Sequence, residues 1–308
     1  MFIHDISRVA LEIGPLQIRW YGLMFAGGAL LYYFLTRWLW KRGSLQSEHG
    51  GKLARDRVLA RNGVLARKWP MEDFDSLVLF LFIGLVVGAR LGEVFFYNFG
   101  YYSTAGFWEI FKIWEGGLSS HGATIGLVVA YTGFWLWKRR TGRGLKRRGP
   151  PEARGFKFLE YADVLAVCMP LVAGFVRIGN FFNSEIVGRT TDSVFGVVFS
   201  MNGENFARHP AQLYEGLWAW VVFAGLIFLW LRRERWKWLR TDGVFVFLFV
   251  GLYFAGRIVI EFFKEYQIGV GTDGLPWGMT MGQALSVVPV AVAVGWFVIT
   301  YFRRNEKS

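Results

Sequence analysis

Six stretches of this chain, at 20–39, 74–96, 121–137, 210–231, 243–263 and 281–302, are apolar almost from end to end and bounded by charge, Gly or Pro. A run of about 20 apolar residues is what a helix needs to cross the hydrocarbon of a bilayer, where every backbone polar group must be satisfied inside the segment. A seventh stretch, 161–176, is shorter. It opens on Tyr161-Ala162-Asp163, carries Pro170, and is demanded mainly by the parity of the remaining loops. With 54% hydrophobic residues, 15 Trp and 30 Phe in 308 positions, the chain is too apolar and aromatic for an ordinary soluble domain. The expected fold is all-α: one polytopic membrane bundle of seven helices over residues 1–308. The first 19 residues hold Asp5, Arg8, Glu12 and Arg19 and no apolar core, so the first span is expected to serve as the insertion signal.

Lys and Arg fix the expected orientation, because short cytoplasmic loops retain positive charge. Segments 40–73, 138–160, 232–242 and 303–308 hold 25 of the 35 basic residues, and the segments between them alternate with low counts. That alternation predicts an N-terminus outside, a C-terminus in the cytoplasm and a long basic cytoplasmic loop at 40–73. The net charge of +12 is thereby accounted for by topology and by attraction to anionic membrane lipids, and nucleic acid is not an expected partner. The one cysteine, Cys168, lies in an apolar stretch, which excludes disulfides and Cys-rich metal sites.

Function is expected among the charges that topology does not explain. Arg90 with Glu93, and Arg257 with Glu261, fall late in outward-running spans at helical spacings that let each pair meet on one face. An unpaired charge at the bilayer centre costs on the order of 3 kcal/mol, so such residues are expected to be paired or to line a wet site. Two outward connections add polar groups at the same level. In the first, Gly116 to Gly126, a Ser at 119 or 120 can cap the third span, and His121 can donate, accept or shuttle a proton. The second, Arg177 to Arg189, sets Arg177, Asn180, Asn183 and Glu185 among aromatic residues, a composition suited to a lipid head group. His4, His49 and His209 lack such company and are expected to be solvated or interfacial.

Taken together, Arg19-Trp20-Tyr21-Gly22, Arg90-Leu91-Gly92 with Tyr97-Asn98, His121-Gly122 to Gly126, Arg177-Ile178-Gly179-Asn180-Phe181 with Asn183, Glu185, Gly188 and Arg189, Gln212-Leu213-Tyr214-Glu215, and Arg257 with Glu261 resemble the prolipoprotein diacylglyceryl transferases along nearly the whole chain. Ala123, Val176 and the long loop from Lys41 to Asp73 depart from the family pattern. The resemblance implies a multi-pass enzyme of the bacterial plasma (inner) membrane with its active site toward the outer leaflet. Such an enzyme moves the diacylglyceryl group of phosphatidylglycerol to the lipobox cysteine of a prolipoprotein signal peptide and releases glycerol phosphate. No cofactor or metal is implied.

Expulsion of a phosphate needs fixed cations, for which Arg177 and Arg257 are the first choices, and a thiol nucleophile needs a base, for which His121 is the natural one. Asn180, Asn183, Glu185 and Glu261 are expected to orient the arginines or head-group hydroxyls. Tyr21, Arg90 and Gly188 match family positions with substrate-binding or architectural roles. A transporter would instead need a polar path through both leaflets, and a noncatalytic lipid- or lipoprotein-binding protein would need no base beside two arginines.

Overall fold

The computed structural model describes residues 2–14, 16–49, 71–112, 117, 119–141, 158–265 and 279–306. The expectation for the loop at 40–73 falls largely on residues outside this set. The described chain is mainly helical: α1 (Trp20–His49), α2 (Met71–Gly92), a short α3 (Phe99–Thr104), α4 (Ser120–Thr141), α5 (Phe158–Phe182), α6 (Ala211–Leu231), α7 (Val244–Ile260) and α8 (Met281–Asn305). Five helical segments, Met71–Tyr97, Phe158–Phe182, Ala211–Leu231, Val244–Phe263 and Gly282–Arg303, are long and apolar enough to cross a membrane. Their outward residues are themselves apolar, with Phe82 63%, Leu217 64% and Val288 64% exposed, a surface that lipid accepts and water does not. The other two expected spans lie in α1 and α4, whose Tyr, Trp, Gly and basic residues make them less apolar.

The shortest expected span, 161–176, proves to be part of a full-length apolar helix, and the reason is electrostatic. Charge at both ends shortened the run in sequence, yet α5 continues through it. Asp163 is buried because its two carboxylate oxygens accept the N–H groups of Gly243 and Val246, at 2.7 and 2.9 Å, and so cap the start of α7. At the other end Arg177 is absorbed by an ion pair.

The helices fall into two compact units, residues 1–36 with 159–308 and residues 37–158. In the first, two tryptophans of α6 set the helix spacing. Trp218 fills the space over Gly256 of α7 and donates to Leu252 O at 3.0 Å, while Trp220 fills that over Gly174 of α5 and donates to Leu171 O at 3.3 Å. Thus α6 is fixed between α5 and α7. The polar end of this unit carries short strands. β1 (Phe2–His4) runs parallel to β4 (Val197–Phe199) with His4 opposite Phe199, β4 pairs antiparallel with β5 (Ala207–Arg208), and β2 (Val9–Ile13) forms a hairpin with β3 (Leu16–Arg19).

In the second unit α2 and α4 cross glycine on glycine. A Cβ at Gly88 would lie 2.5 Å from Gly122 O, and one at Gly92 would lie 2.5 Å from Gly122 Cα, so only glycine permits this approach. Ser119 caps α4, its Oγ accepting the N–H of Gly122 at 3.1 Å, as the sequence led one to expect of Ser119 or Ser120.

Candidate active site

The site in the first unit is built around a residue to which the sequence reading gave no role. Glu215, one turn into α6, is only 2% exposed, yet three cations reach it. Arg177 Nε of α5 lies 2.8 Å from Oε2, and Lys264 Nζ, just beyond α7, lies 3.3 Å from Oε1. Arg257 Nε of α7 stands 3.9 Å from Oε1, too far for a hydrogen bond. Burying one carboxylate alone would cost several kcal/mol, and the converging cations offset that penalty. Lys264 also pairs with Glu261 at 3.2 Å, and Glu261 accepts from Thr280 Oγ1 at 3.3 Å. Gly282 leaves room for the Glu261 carboxylate, which a Cβ there would meet. The expected pairing of Arg257 with Glu261 is therefore replaced by Arg257 with Glu215 and Glu261 with Lys264.

From Arg177 a hydrogen-bond chain leads outward. Its Nη1 donates to Asn180 Oδ1 at 3.3 Å, Asn180 Nδ2 donates to Glu185 Oε2 at 3.3 Å, and Asn183 Nδ2 donates to Glu185 Oε1 at 3.1 Å. Tyr253 of α7 and Tyr21 lie within electrostatic reach of Arg177, and Tyr21 also packs over Gly179. Sequence reasoning grouped Arg177, Asn180, Asn183 and Glu185 correctly and missed Lys264 and Tyr253.

The loop that carries these groups is strained. Ser184 and Ile186 adopt φ of 55° and 56°, a region that side chains, β-branched ones above all, seldom occupy. Its surroundings hold it there. Gln212 Nε2 donates to Glu185 O at 2.5 Å, Gly188 N to His209 O at 2.9 Å and Arg189 N to Phe263 O at 2.9 Å. Gly188 is required because a Cβ would strike the carbonyl oxygens of His209 and Phe263. Arg208, itself paired with Glu204 at 2.6 Å and Glu265 at 2.9 Å, donates to Gly188 O at 3.2 Å. His4 differs from expectation: it is fully buried against Phe181 and Phe199, with Nδ1 3.5 Å from Ser184 Oγ. His209 is half-buried, its Nδ1 3.1 Å from the Tyr214 hydroxyl.

In the second unit His121 is exposed at the start of α4, with Nδ1 2.7 Å from the Tyr97 hydroxyl. Arg90 is 6% exposed and donates to three backbone carbonyls, Ile110 at 2.7 Å, Glu109 at 2.7 Å and Gly117 at 3.1 Å, so it organises the connection after α2. Glu93 accepts from Asn98 Nδ2 at 2.5 Å.

A buried, partly compensated cation cluster beside a strained polar loop at the end of apolar helices can hold an anionic group while its apolar remainder stays in hydrocarbon. The sequence model of the prolipoprotein diacylglyceryl transferase family matches residues 8–299. Proteins named phosphatidylglycerol–prolipoprotein diacylglyceryl transferase are similar over most or all of their length. That of Tolumonas auensis is 35% identical, with all of both chains covered. That of Cupriavidus pinatubonensis is 34% identical over all of this chain and 96% of its own. That of Nitratidesulfovibrio vulgaris is 36% identical over 91% of this chain and 89% of its own.

Proposed function

Because the chain belongs to the prolipoprotein diacylglyceryl transferase family, we propose that the cation cluster around Glu215 holds the phosphate of phosphatidylglycerol while the lipid is transferred to a cysteine. The protein is a transferase that moves the diacylglyceryl group of phosphatidylglycerol to a prolipoprotein. The acceptor is the thiol of the lipobox cysteine at the end of a signal peptide. Sulfur forms a bond to the terminal glycerol carbon of diacylglycerol as that carbon's bond to the phosphate oxygen breaks, and the electron pair leaves on glycerol phosphate.

The observation that carries the assignment of the site is the convergence of Arg177, Arg257 and Lys264 on one buried carboxylate. Arg257 Nε makes no hydrogen bond among the described residues, so it is free to turn to a phosphate oxygen as charge grows there. Asn180, Asn183, Glu185 and Tyr21 are suited to the head-group hydroxyls and Gly188 to holding the loop, while Arg90 and Glu261 act by positioning.

The thiol proton goes to His121. This requires the tautomer in which Nδ1–H donates to the Tyr97 oxygen, leaving the Nε2 lone pair open to the thiol. The alternation of basic loops supports seven crossings, counting α1 and α4, with the N-terminus outside and the C-terminus in the cytoplasm of a bacterial inner membrane. The transfer chemistry then faces the outer leaflet, where an exported cysteine arrives. Incubating purified protein with labelled phosphatidylglycerol and a lipobox peptide is expected to place a thioether-linked lipid on the peptide cysteine. A folded protein that leaves the peptide unmodified refutes the assignment and favours a binding role.

A further inference from the structure

We propose that Gln212 is a positioning residue that sets head-group selectivity by holding the loop 183–186 at a fixed separation from the phosphate-binding arginines, an inference that rests on the site assigned above. Gln212 lies in the first turn of α6 and is fully buried, so it does not touch a lipid itself. Its Nε2 donates to Glu185 O at 2.5 Å, whereas its Oε1 has no hydrogen-bond partner among the described residues. A buried amide with half of its capacity unused costs stability that an apolar side chain of the same shape would not. Packing alone therefore does not account for a glutamine here, and the bond to Glu185 is what it supplies.

That bond closes a ring. Gln212 and Glu215 are three residues apart on α6 and share a helix face. From Glu215 the ring runs to Arg177 Nε at 2.8 Å, from Arg177 Nη1 to Asn180 Oδ1 at 3.3 Å, from Asn180 Nδ2 to the Glu185 carboxylate at 3.3 Å, and back to α6 through Gln212. One helix thus grips both ends, the cations through Glu215 and the loop through Gln212. The loop needs the grip, because Glu185 stands between Ser184 and Ile186, whose φ of 55° and 56° persist only while their surroundings hold them.

Glu185 is exposed where Gln212 is not, and Asn183 Nδ2 steadies its other carboxylate oxygen. A glycerol head group carries its free hydroxyls on the second and third carbons beyond the phosphate ester, at separations from phosphorus that its covalent bonds restrict. A carboxylate held at a set separation from Arg177 therefore reads hydroxyl and phosphate together, while a head group without hydroxyls engages the cations alone.

The test compares two dioctanoyl lipids of equal charge, phosphatidylglycerol and phosphatidylethanol. Each is added unlabelled against transfer from a trace of labelled phosphatidylglycerol to a lipobox peptide, and the concentration that halves transfer is read. In wild type that concentration is expected to be lower for phosphatidylglycerol by about tenfold. Gln212→Met keeps the side-chain length and loses the donor. It should raise the value for phosphatidylglycerol about tenfold and leave that for phosphatidylethanol within about twofold of wild type, because Glu215 still holds the arginines. A packing role would raise both alike. Equal rises, or no rise for phosphatidylglycerol, overturn the proposal. Gln212→Asn, whose amide stops one methylene short of Glu185 O, is read in the same way, so a fold lost in one variant leaves the other to decide.

A double-mutant cycle tests whether Gln212 acts through the loop. On top of Asn183→Ala, Gln212→Met is expected to add less than about twofold for phosphatidylglycerol, since both changes release the Glu185 carboxylate. Losses that multiply overturn the proposal. The wild-type arm separates the two claims: a wild type that does not distinguish the lipids refutes the head-group assignment and the proposal with it, whereas a selective wild type with equally selective variants refutes the role of Gln212 alone.

Discussion

Glu215 shows what a single residue can hide. A carboxylate one turn into an apolar helix, with no basic residue within four positions of it, signals a partner from elsewhere in the chain, but sequence spacing cannot say which. Lys264 was legible only as one charge in an outward loop, although it follows Arg257 by seven residues and Glu261 by three and so shares their helical face. The local constellation from Arg177 to Glu185 was readable because its members lie within one turn and one loop.

His121 tests the base assignment. His121→Gln is expected to lower turnover by about 100-fold or more while leaving phosphatidylglycerol affinity near wild type. Near-normal turnover in that variant removes the assignment.

His4 makes a prediction about pH. Burial holds its imidazole below the ordinary value of 6.5, against a smaller opposing effect from the charge of Asp5, because the aromatic pocket disfavours the cation. The unfolded chain therefore takes up a proton before the folded one does. The stabilisation is complete above about pH 6.5 and is lost as pH falls below that value toward the folded one. Thermal unfolding in detergent is expected to shift downward from pH 7.5 to pH 5 in wild type, and less so in His4→Phe. Equal shifts in the two proteins would contradict this.

Among the elements, the helices were legible because a bilayer imposes length and apolarity on each of them. The strands were not. β1 and β4 are three residues each and pair across more than 190 positions, so neither periodicity nor turn residues mark them. The π-helical turn Glu93–Tyr97 that ends α2 was likewise invisible. The crossing of α2 and α4 is made through glycines and can be tested through them. Gly126→Ala places a Cβ against Gly84 O, and prising the helices apart is expected to destabilise by about 1–3 kcal/mol. Gly133→Ala on the same helix meets nothing within 4 Å and should leave the melting temperature unchanged. Equal melting temperatures in the two variants would refute the backbone contact.

For the whole molecule, the proposed topology rests on counting charges, while the meeting of Arg177, Glu215 and Arg257 required three helices to pack. The proposed orientation predicts labelling by a membrane-impermeant maleimide. In intact cells, Ser103→Cys and Asp192→Cys should react from outside and Glu234→Cys only after permeabilisation, against a silent background from buried Cys168. Reaction of Glu234→Cys in intact cells would reverse the orientation.

The central claim, that the cations around Glu215 hold the departing phosphate, is tested most directly with phosphatidylglycerol labelled in both its glycerol phosphate and its acyl chains. Wild type should release one labelled glycerol phosphate for each thioether formed on a lipobox peptide. In Arg177→Lys and Arg257→Lys, which keep the charge and lose the planar fork, both products should fall together by about tenfold or more. Unchanged product formation and lipid affinity in both variants would contradict the account.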